Sequence, residues 1–343
     1  MANTPDYSWP PMQDRKVMGQ RIKRADGPAK ASGRAKYSSD LNPKDLLFAV
    51  YTTSPYAHAR VTKIDTSEAE QMKGVAAVHV SAPAGTEIQW EGAEIAAVAA
   101  NTEEIARDAV RKIKVDYEVL PHLVKEDDLS KAGAHAVAGG EEVVGDPDKA
   151  FQDADAVHEG FYSIPVITHC CLETHGSVVQ WQGDSIMAYP STQDVTTWNN
   201  QLSPNVKVPA ANIKVKMDYI GGGFGSKFGP DAWGEVAARL SQKAGGRPVK
   251  LFLDRSTEQK IAGNRPSAFA KVKIGGKKDG TITVFQAQSW ATGGFTGGGS
   301  PPIPYISKQN GMPNYRLVHT PVHINAGAAR AWRAPNNQQA SYL

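Results

Sequence analysis

The 343-residue sequence predicts an α+β chain built from two domains. Three observations carry that expectation. The length exceeds one ordinary core and fits two domains of roughly 100 to 200 residues each. Strand-helix-strand patterns occur twice, at residues 94–120 and 213–253. Between them, residues 124–150 turn polar and glycine-rich with no period of either kind, which is where a boundary falls.

Taken in order, residues 46–51 (LLFAVY) read as a short buried strand and residues 59–64 (ARVTKI) as a half-exposed one. Residues 94–100 (EIAAVAA) form an apolar strand of small residues. Asn101 and Thr102 then offer N-caps, and Glu103 and Glu104 place negative charge at the positive end of a helix. Ile105, Ala109, Val110 and Ile113 recur there at helical spacing, before the strand-like residues 115–120 (VDYEVL). Past the polar stretch, residues 156–162, 177–181 and 185–189 read as strands. The second unit runs from a strand at 213–220 (IKVKMDYI) through the loop GGGFGSKFGP at 221–230 into a helix from about Asp231. Trp233, Val236, Ala237 and Leu240 share one face of that helix, Gly245 and Gly246 stop it, and residues 249–253 return as a strand. Residues 336–343 (NNQQASYL) read as a helix starting.

Composition narrows the function class. The 38 basic and 35 acidic residues are interspersed, without the clustered basic face of a nucleic-acid binder. The basic-looking stretch at residues 15–34 is broken by Gly, Asp and Ala and reads as a solvated leading segment. Cys170 and Cys171 are the only cysteines, and as neighbours they form no disulfide framework, which favours a reducing compartment. No CxxC spacing marks a metal or cluster site. The first thirty residues hold no apolar run of signal-peptide length, and no stretch of roughly 18 apolar residues marks a membrane span. The expected location is cytoplasmic, the periplasm being open only through a partner's export signal.

A glycine-rich turn between strand and helix offers backbone N–H groups to an anion, so Gly221, Gly222, Gly223 and Gly225 suit a phosphate or a metal-oxo group. A structural tight turn is the competing reading. The loop is not a P-loop, since Ser226 rather than Gly precedes Lys227, and it lacks the dinucleotide order G-x-G-x-x-G. His169, Glu173 and His175 lie within seven residues, yet a structural role is the expectation for them rather than a metal site. Asp254 and Arg255 read as an ion pair or helix cap. The run GGFTGGG at 293–299 has no helix signal behind it and reads as a flexible loop.

Four segments, the glycine loop among them, make the pattern specific. THCCLETHG (168–176), YPSTQD (189–194), GGGFGSKF (221–228) and AWRAPNNQQ (331–339) occur in an order and spacing that resemble the molybdenum-binding large subunits of the xanthine dehydrogenase and aldehyde oxidase family. RPVKLFLDRSTEQ (247–259) is similar to the same family. GPAKASGRAKYSSDL (27–41) followed by YTTSPYAHARVTKID (51–65) is similar to the opening of its α/β hammerhead domain. The resemblance runs from about Gly27 to the end of the chain.

That resemblance implies a leading segment at 1–26, an α/β hammerhead domain at 27–125, a linker at 126–150 and, at 151–343, the N-terminal half of a molybdopterin-binding domain. It implies that Gln193 aims its amide at an oxygen ligand of molybdenum and that Gly222, Gly223, Phe224 and Gly225 place backbone groups against the cofactor. Arg333 lies against the cofactor too, while Phe228, Trp332 and Ala334 line a substrate pocket. No side chain ligates the metal directly. The implied cofactor is molybdenum with molybdopterin or molybdopterin cytosine dinucleotide, and partner subunits carry iron-sulfur clusters and FAD. The general base, a Glu in a C-terminal G-x-G-E motif, is absent from this sequence, so no catalytic residue is expected in the chain and activity is expected to need a C-terminal half. Phe228 stands where purine hydroxylases of the family carry an acid, which favours an aldehyde or aromatic N-heterocycle over xanthine. Ala334 stands where carbon monoxide dehydrogenases place a cysteine. The alternatives are a non-catalytic assembly half of such a complex and a Rossmann-like nucleotide-binding enzyme.

Overall fold

The computed structural model describes residues 8–296 and 311–342. Residues 1–36 and 37–343 form two separate compact units. In the first, a short helix Gly27–Ala31 follows Asp26, whose carboxylate hydrogen-bonds Lys30 and Arg24 and is held down at about 2 by them. Everything discussed below belongs to the second unit.

Its centre is a seven-stranded mixed sheet in the order Ile213–Val215, Ser185–Pro190, Gly176–Gln182, Val249–Phe252, Leu47–Thr53, Glu94–Ala100 and Val75–Val80. The strand Glu94–Ala100 explains why small residues were needed there. Successive side chains of a strand point to opposite faces. Ala97 and Ala99 pack on one face against a core containing Trp198, Leu202, Trp233, Val236 and Leu240. Ala96 and Val98 pack on the other against Ala69, Ala109 and Ile113. Residues 95–100 are consequently all shielded from solvent. A strand covered on both faces reads as a continuous apolar run, as this one does.

Two helices supply those covers. Glu103–Val110 begins where Thr102 accepts a hydrogen bond from the Ile105 N–H at 3.3 Å, with Glu103 and Glu104 in its first turn. Asp231–Lys243 buries Trp233, Val236, Ala237 and Leu240, the expected face. No helix among the described residues is long and apolar enough to cross a membrane.

Several expectations shift. The strand Lys114–Val119 does not rejoin the sheet of Glu94–Ala100; it pairs with Ala59–Asp65 in a three-stranded sheet with Glu87–Ile88. The strand expected over 213–220 closes after Val215, and the chain then turns toward the glycine loop. Residues 124–150, without a legible period, hold short 3-10 turns, the strand Glu141–Val144 and the start of helix Pro147–Gln152. That strand edges a five-stranded sheet followed in order by Tyr315–Pro321, Ile282–Ala291, Ala268–Gly276 and Ala156–Ile164. Helix Trp198–Val206, with Pro204 inside it, has no sequence signal of helical spacing strong enough to mark it. Of the GGFTGGG run, residues 297–299 lie outside the described residues.

Candidate cofactor-binding loop

The loop at 221–230 is held by two side chains on other segments, Glu173 and Gln193, and by its own Lys227. Glu173 accepts hydrogen bonds from the Gly221 N–H (2.9 Å), the Ser191 hydroxyl (2.8 Å) and the Ser39 N–H (3.1 Å). Lys227, 1% exposed, donates its ammonium to the Glu173 carbonyl (2.6 Å) and to Ser191 Oγ (2.7 Å). Burial lowers the Lys227 pKa. A buried ammonium left without such acceptors would be costly, so this arrangement ties the loop to residues 173 and 191.

Gln193 makes the third tie. Its Oε1 accepts from the Gly225 N–H at 2.7 Å and the Lys227 N–H at 3.4 Å, and its own N–H donates to the Lys227 carbonyl at 2.7 Å. Two N–H donors fix which end is oxygen, and the Nε2 end belongs to an exposed side chain with donors to spare. Two glycines are forced by closeness. A Cβ on Gly223 would sit 2.5 Å from Gln193 Oε1, and one on Gly225, at φ +114°, would sit 2.3 Å from the Ala331 carbonyl. Phe224 itself adopts φ 56° and is half exposed, as is Phe228.

Among the described residues, the N–H groups of Gly222, Gly223 and Phe224 have no acceptor, whereas those of Gly221, Gly225, Ser226 and Lys227 are bonded. Gly223 is buried, Gly222 half-buried and Phe224 exposed, so the loop carries three consecutive N–H donors without a partner beside the Gln193 side chain. Such donors suit oxygen atoms carrying negative charge.

The C-terminal segment packs on this loop. The Arg333 N–H donates to the Phe224 carbonyl at 2.9 Å, and the Arg333 carbonyl accepts from Arg265 at 2.6 Å. Trp332 stacks on His169 with ring centroids 4.6 Å apart and lies under the Arg265 guanidinium at 5.0 Å. Ala334, like Asn336, is at positive φ in the turn that follows. The guanidinium of Arg333 is exposed, whereas Arg330, which sequence reading passed over, reaches the loop. Arg330 donates to the Ser226 carbonyl (2.9 Å) and makes a two-pronged pair with Asp231 (2.7 and 2.8 Å) over the Trp233 ring. Two arginines three residues apart in ARAWR were the only sequence signal for that choice.

His169, Glu173 and His175 go to different partners. His169 faces the carbonyls of Ala331 (2.8 Å) and Gly263 (3.3 Å), and burial lowers its pKa. His175, 1% exposed, faces Glu258 Oε1 through Nδ1 and Ser226 Oγ through Nε2, both at 2.9 Å. Burial also lowers the His175 pKa, outweighing Glu258. Cys171, His175 and Glu258 present their donor atoms within 4.8 Å of one another. Both imidazole nitrogens are already engaged and the Lys227 charge stands close by, so the arrangement works as a hydrogen-bond network. Asp254 caps helix Arg255–Ile261 by accepting from the Thr257 N–H at 2.8 Å, and Arg255 pairs with Glu258.

The description molybdopterin cofactor-binding domain matches residues 131–343, and aldehyde oxidase and xanthine dehydrogenase, a/b hammerhead domain, matches residues 32–84. The chain is 29% identical over 322 residues to the aldehyde oxidoreductase molybdenum-binding subunit PaoC of Escherichia coli, a match covering 85% of this chain and 42% of that protein. It is 31% identical over 304 residues to aldehyde oxidase 2 of Rattus norvegicus, covering 83% of this chain and 22% of the relative. Among solved structures, quinoline 2-oxidoreductase from Pseudomonas putida superposes with a TM-score of 0.77 at 22% identity, over 92% of this chain and 45% of that one. Aldehyde oxidoreductase from Desulfovibrio desulfuricans gives 0.78 at 21%, over 94% and 41%. The chain thus spans less than half the length of these proteins.

Proposed function

The chain belongs to the molybdopterin cofactor-binding family of aldehyde oxidases and xanthine dehydrogenases, and from that premise we propose that the glycine loop with Gln193 is one wall of a molybdenum cofactor site. The observation that carries this is that the Gly222, Gly223 and Phe224 N–H groups have no acceptor among the described residues, in a loop anchored to Gln193. Its chemistry fits a cofactor whose outer atoms are oxo groups and phosphate oxygens, either molybdopterin or its cytosine dinucleotide. When bound, the cofactor supplies oxygen transfer and accepts the electrons of the oxidised carbon. This chain's own part is to hold and orient it. Gln193 donates at a fixed angle because its other end is anchored by Gly225 and Lys227. Arg333 is exposed beside Phe224 and adds a positive charge toward an anionic cofactor, while Arg330, neutralised by Asp231, braces the loop.

The reaction is hydroxylation, with oxygen from water, of an aldehyde or an aromatic N-heterocycle, the classes named in the aldehyde oxidoreductase and quinoline oxidoreductase relatives. Phe228, half exposed at the loop's end, with Trp332 and Ala334 on the adjoining segment, forms the apolar side of the pocket. The hammerhead module at 27–125, the linker at 126–150 and the cofactor half at 151–343 are completed by a C-terminal half carrying the Glu base. Iron-sulfur and FAD subunits take the electrons in the cytoplasm. Molybdenum and pterin content of the assembled complex test this reading directly. Stoichiometric metal that falls when Gly225→Val jams the loop against Ala331 supports it, and a metal-free wild-type complex overturns it. Replacing Phe228 by Glu is expected to shift competition between an aromatic aldehyde and a purine toward the purine; an unchanged ratio removes Phe228 from the pocket.

A further inference from the structure

Ser226 sits at the base of the glycine loop with one hydroxyl proton and two acceptors for it. The Gly223 carbonyl lies 2.8 Å from Oγ and His175 Nε2 lies 2.9 Å away. The sequence carboxylate, imidazole, hydroxyl (Glu258, His175, Ser226) is that of a nucleophilic triad. Ser226, however, is 1% exposed and Glu258 3%, so no substrate reaches the hydroxyl. Its output is therefore to be sought in the second acceptor, the loop carbonyl.

We propose that Glu258, His175 and Ser226 form a positioning relay that sets the Gly223 carbonyl and, through it, the outward amide of Phe224. This rests on the loop being the cofactor wall. The link is the peptide plane. Gly223 C=O and Phe224 N–H belong to one planar trans unit and point in opposite directions. The Gly223 carbonyl is drawn inward by the Ser226 N–H (2.9 Å) and is within reach of the Ser226 hydroxyl, so the Phe224 N–H is turned outward, where it has no acceptor among the described residues.

The proton count makes the relay adjustable. With a neutral ring, Nδ1–H donates to Glu258 and Nε2 accepts the Ser226 hydroxyl proton, leaving the Gly223 carbonyl to the Ser226 N–H alone. Once His175 is protonated, Nε2–H donates to Ser226 Oγ and the hydroxyl turns to the Gly223 carbonyl, which then accepts twice. The groups facing the ring are Glu258 and, beyond it, Arg255 on helix Arg255–Ile261, Lys227 and Ser226 on the loop, the Cys171 thiol, Arg330, and the Trp233 ring edge-on at 5.4 Å. Burial, with Lys227 and Arg330, disfavours the charged ring against the pull of Glu258, so the first arrangement holds at neutral pH.

The test uses the full chain without cofactor, labelled at the histidine rings and the Gly223 carbonyl carbon, followed by NMR from pH 8 to 5. The expected result is a Gly223 carbonyl shift that titrates with the His175 ring nitrogens at a shared midpoint below 6.5. Ser226→Ala should abolish the Gly223 titration while His175 still titrates, and Ser226→Thr should restore it. If Ser226→Ala loses the native spectrum, Glu258→Gln replaces it and should lower both midpoints together by about one unit or more. A Gly223 carbonyl that ignores His175 in the wild type, that still titrates in Ser226→Ala, or that fails to follow the ring in Glu258→Gln overturns the relay. Since no cofactor enters the experiment, a complex found free of molybdenum would overturn the proposed function and leave this result standing.

Discussion

The strand Glu94–Ala100 and the glycine loop are both built from small residues, yet they use smallness in opposite ways. In the strand, alanines let two helices approach a sheet from both faces, its backbone groups pair with Leu47–Thr53 and Val75–Val80, and residues 95–100 are shut away from water. In the loop, glycines let Gln193 and the Ala331 carbonyl approach closely, and three amides are left without acceptors. One region uses its small side chains for closure and the other for close approaches that leave three donors unpaired. A region that satisfies itself holds the fold; a region left unsatisfied is where a ligand belongs.

Changes confined to either region should separate these roles. The largest effect is expected from Ile95→Ala, which empties a fully buried site in the strand and should cost about 2–5 kcal/mol of unfolding free energy in urea titrations. A loss under 1 kcal/mol would mean that this strand is not the rigid element described. Gln193→Ala in the assembled enzyme should act the other way round, raising the barrier to turnover by about 2.7–4 kcal/mol against a smaller loss of about 1 kcal/mol in stability from the Gly225 and Lys227 N–H groups it releases. Unchanged turnover at full molybdenum occupancy would end the assignment of Gln193.

Acid should strain the sheet beside the closed strand as well. Burial, reinforced by Lys243 and Arg239, lowers His79 on strand Val75–Val80 to about 4. Above 6.5 the ring is neutral folded or unfolded and costs nothing. Between 6.5 and about 4 only the unfolded chain takes up the proton, so stability falls through that window. His79→Asn should flatten the corresponding part of the stability curve, and a curve of identical slope would place the acid sensitivity elsewhere. The smallest effect is expected at Thr102→Ala, which deletes the cap of Glu103–Val110 for about 1 kcal/mol and should leave the glycine loop's NMR shifts in place.

Local chemistry was legible wherever a residue answers to its neighbours. Residues 94–100 declared a two-face buried strand, Thr102 declared its cap, and the tight turn at 221–225 announced itself by glycine. What stayed hidden needed distant partners. Alternation in 115–120 gives a strand's faces but not its sheet, and Lys114–Val119 went to Ala59–Asp65. The hairpin of Ala268–Gly276 and Ile282–Ala291 is the local exception, with Asp279-Gly280 marking its turn. In the loop's support, Glu258 meets His175 across 83 residues and Lys227 meets Glu173 across 54.

The sequence by itself determined the small-residue strand, its capped helix, the glycine turn and the family's motifs, because each depends on spacing along one segment. Only the tertiary structure decided that Arg330 braces the loop, that Gln193 Oε1 takes the Gly225 N–H, and that His175 bridges Glu258 and Ser226. Those outcomes turn on which acceptor lies within 3 Å of which donor, a distance set by the packing of three separate segments and by the cost of leaving any buried polar group unpaired.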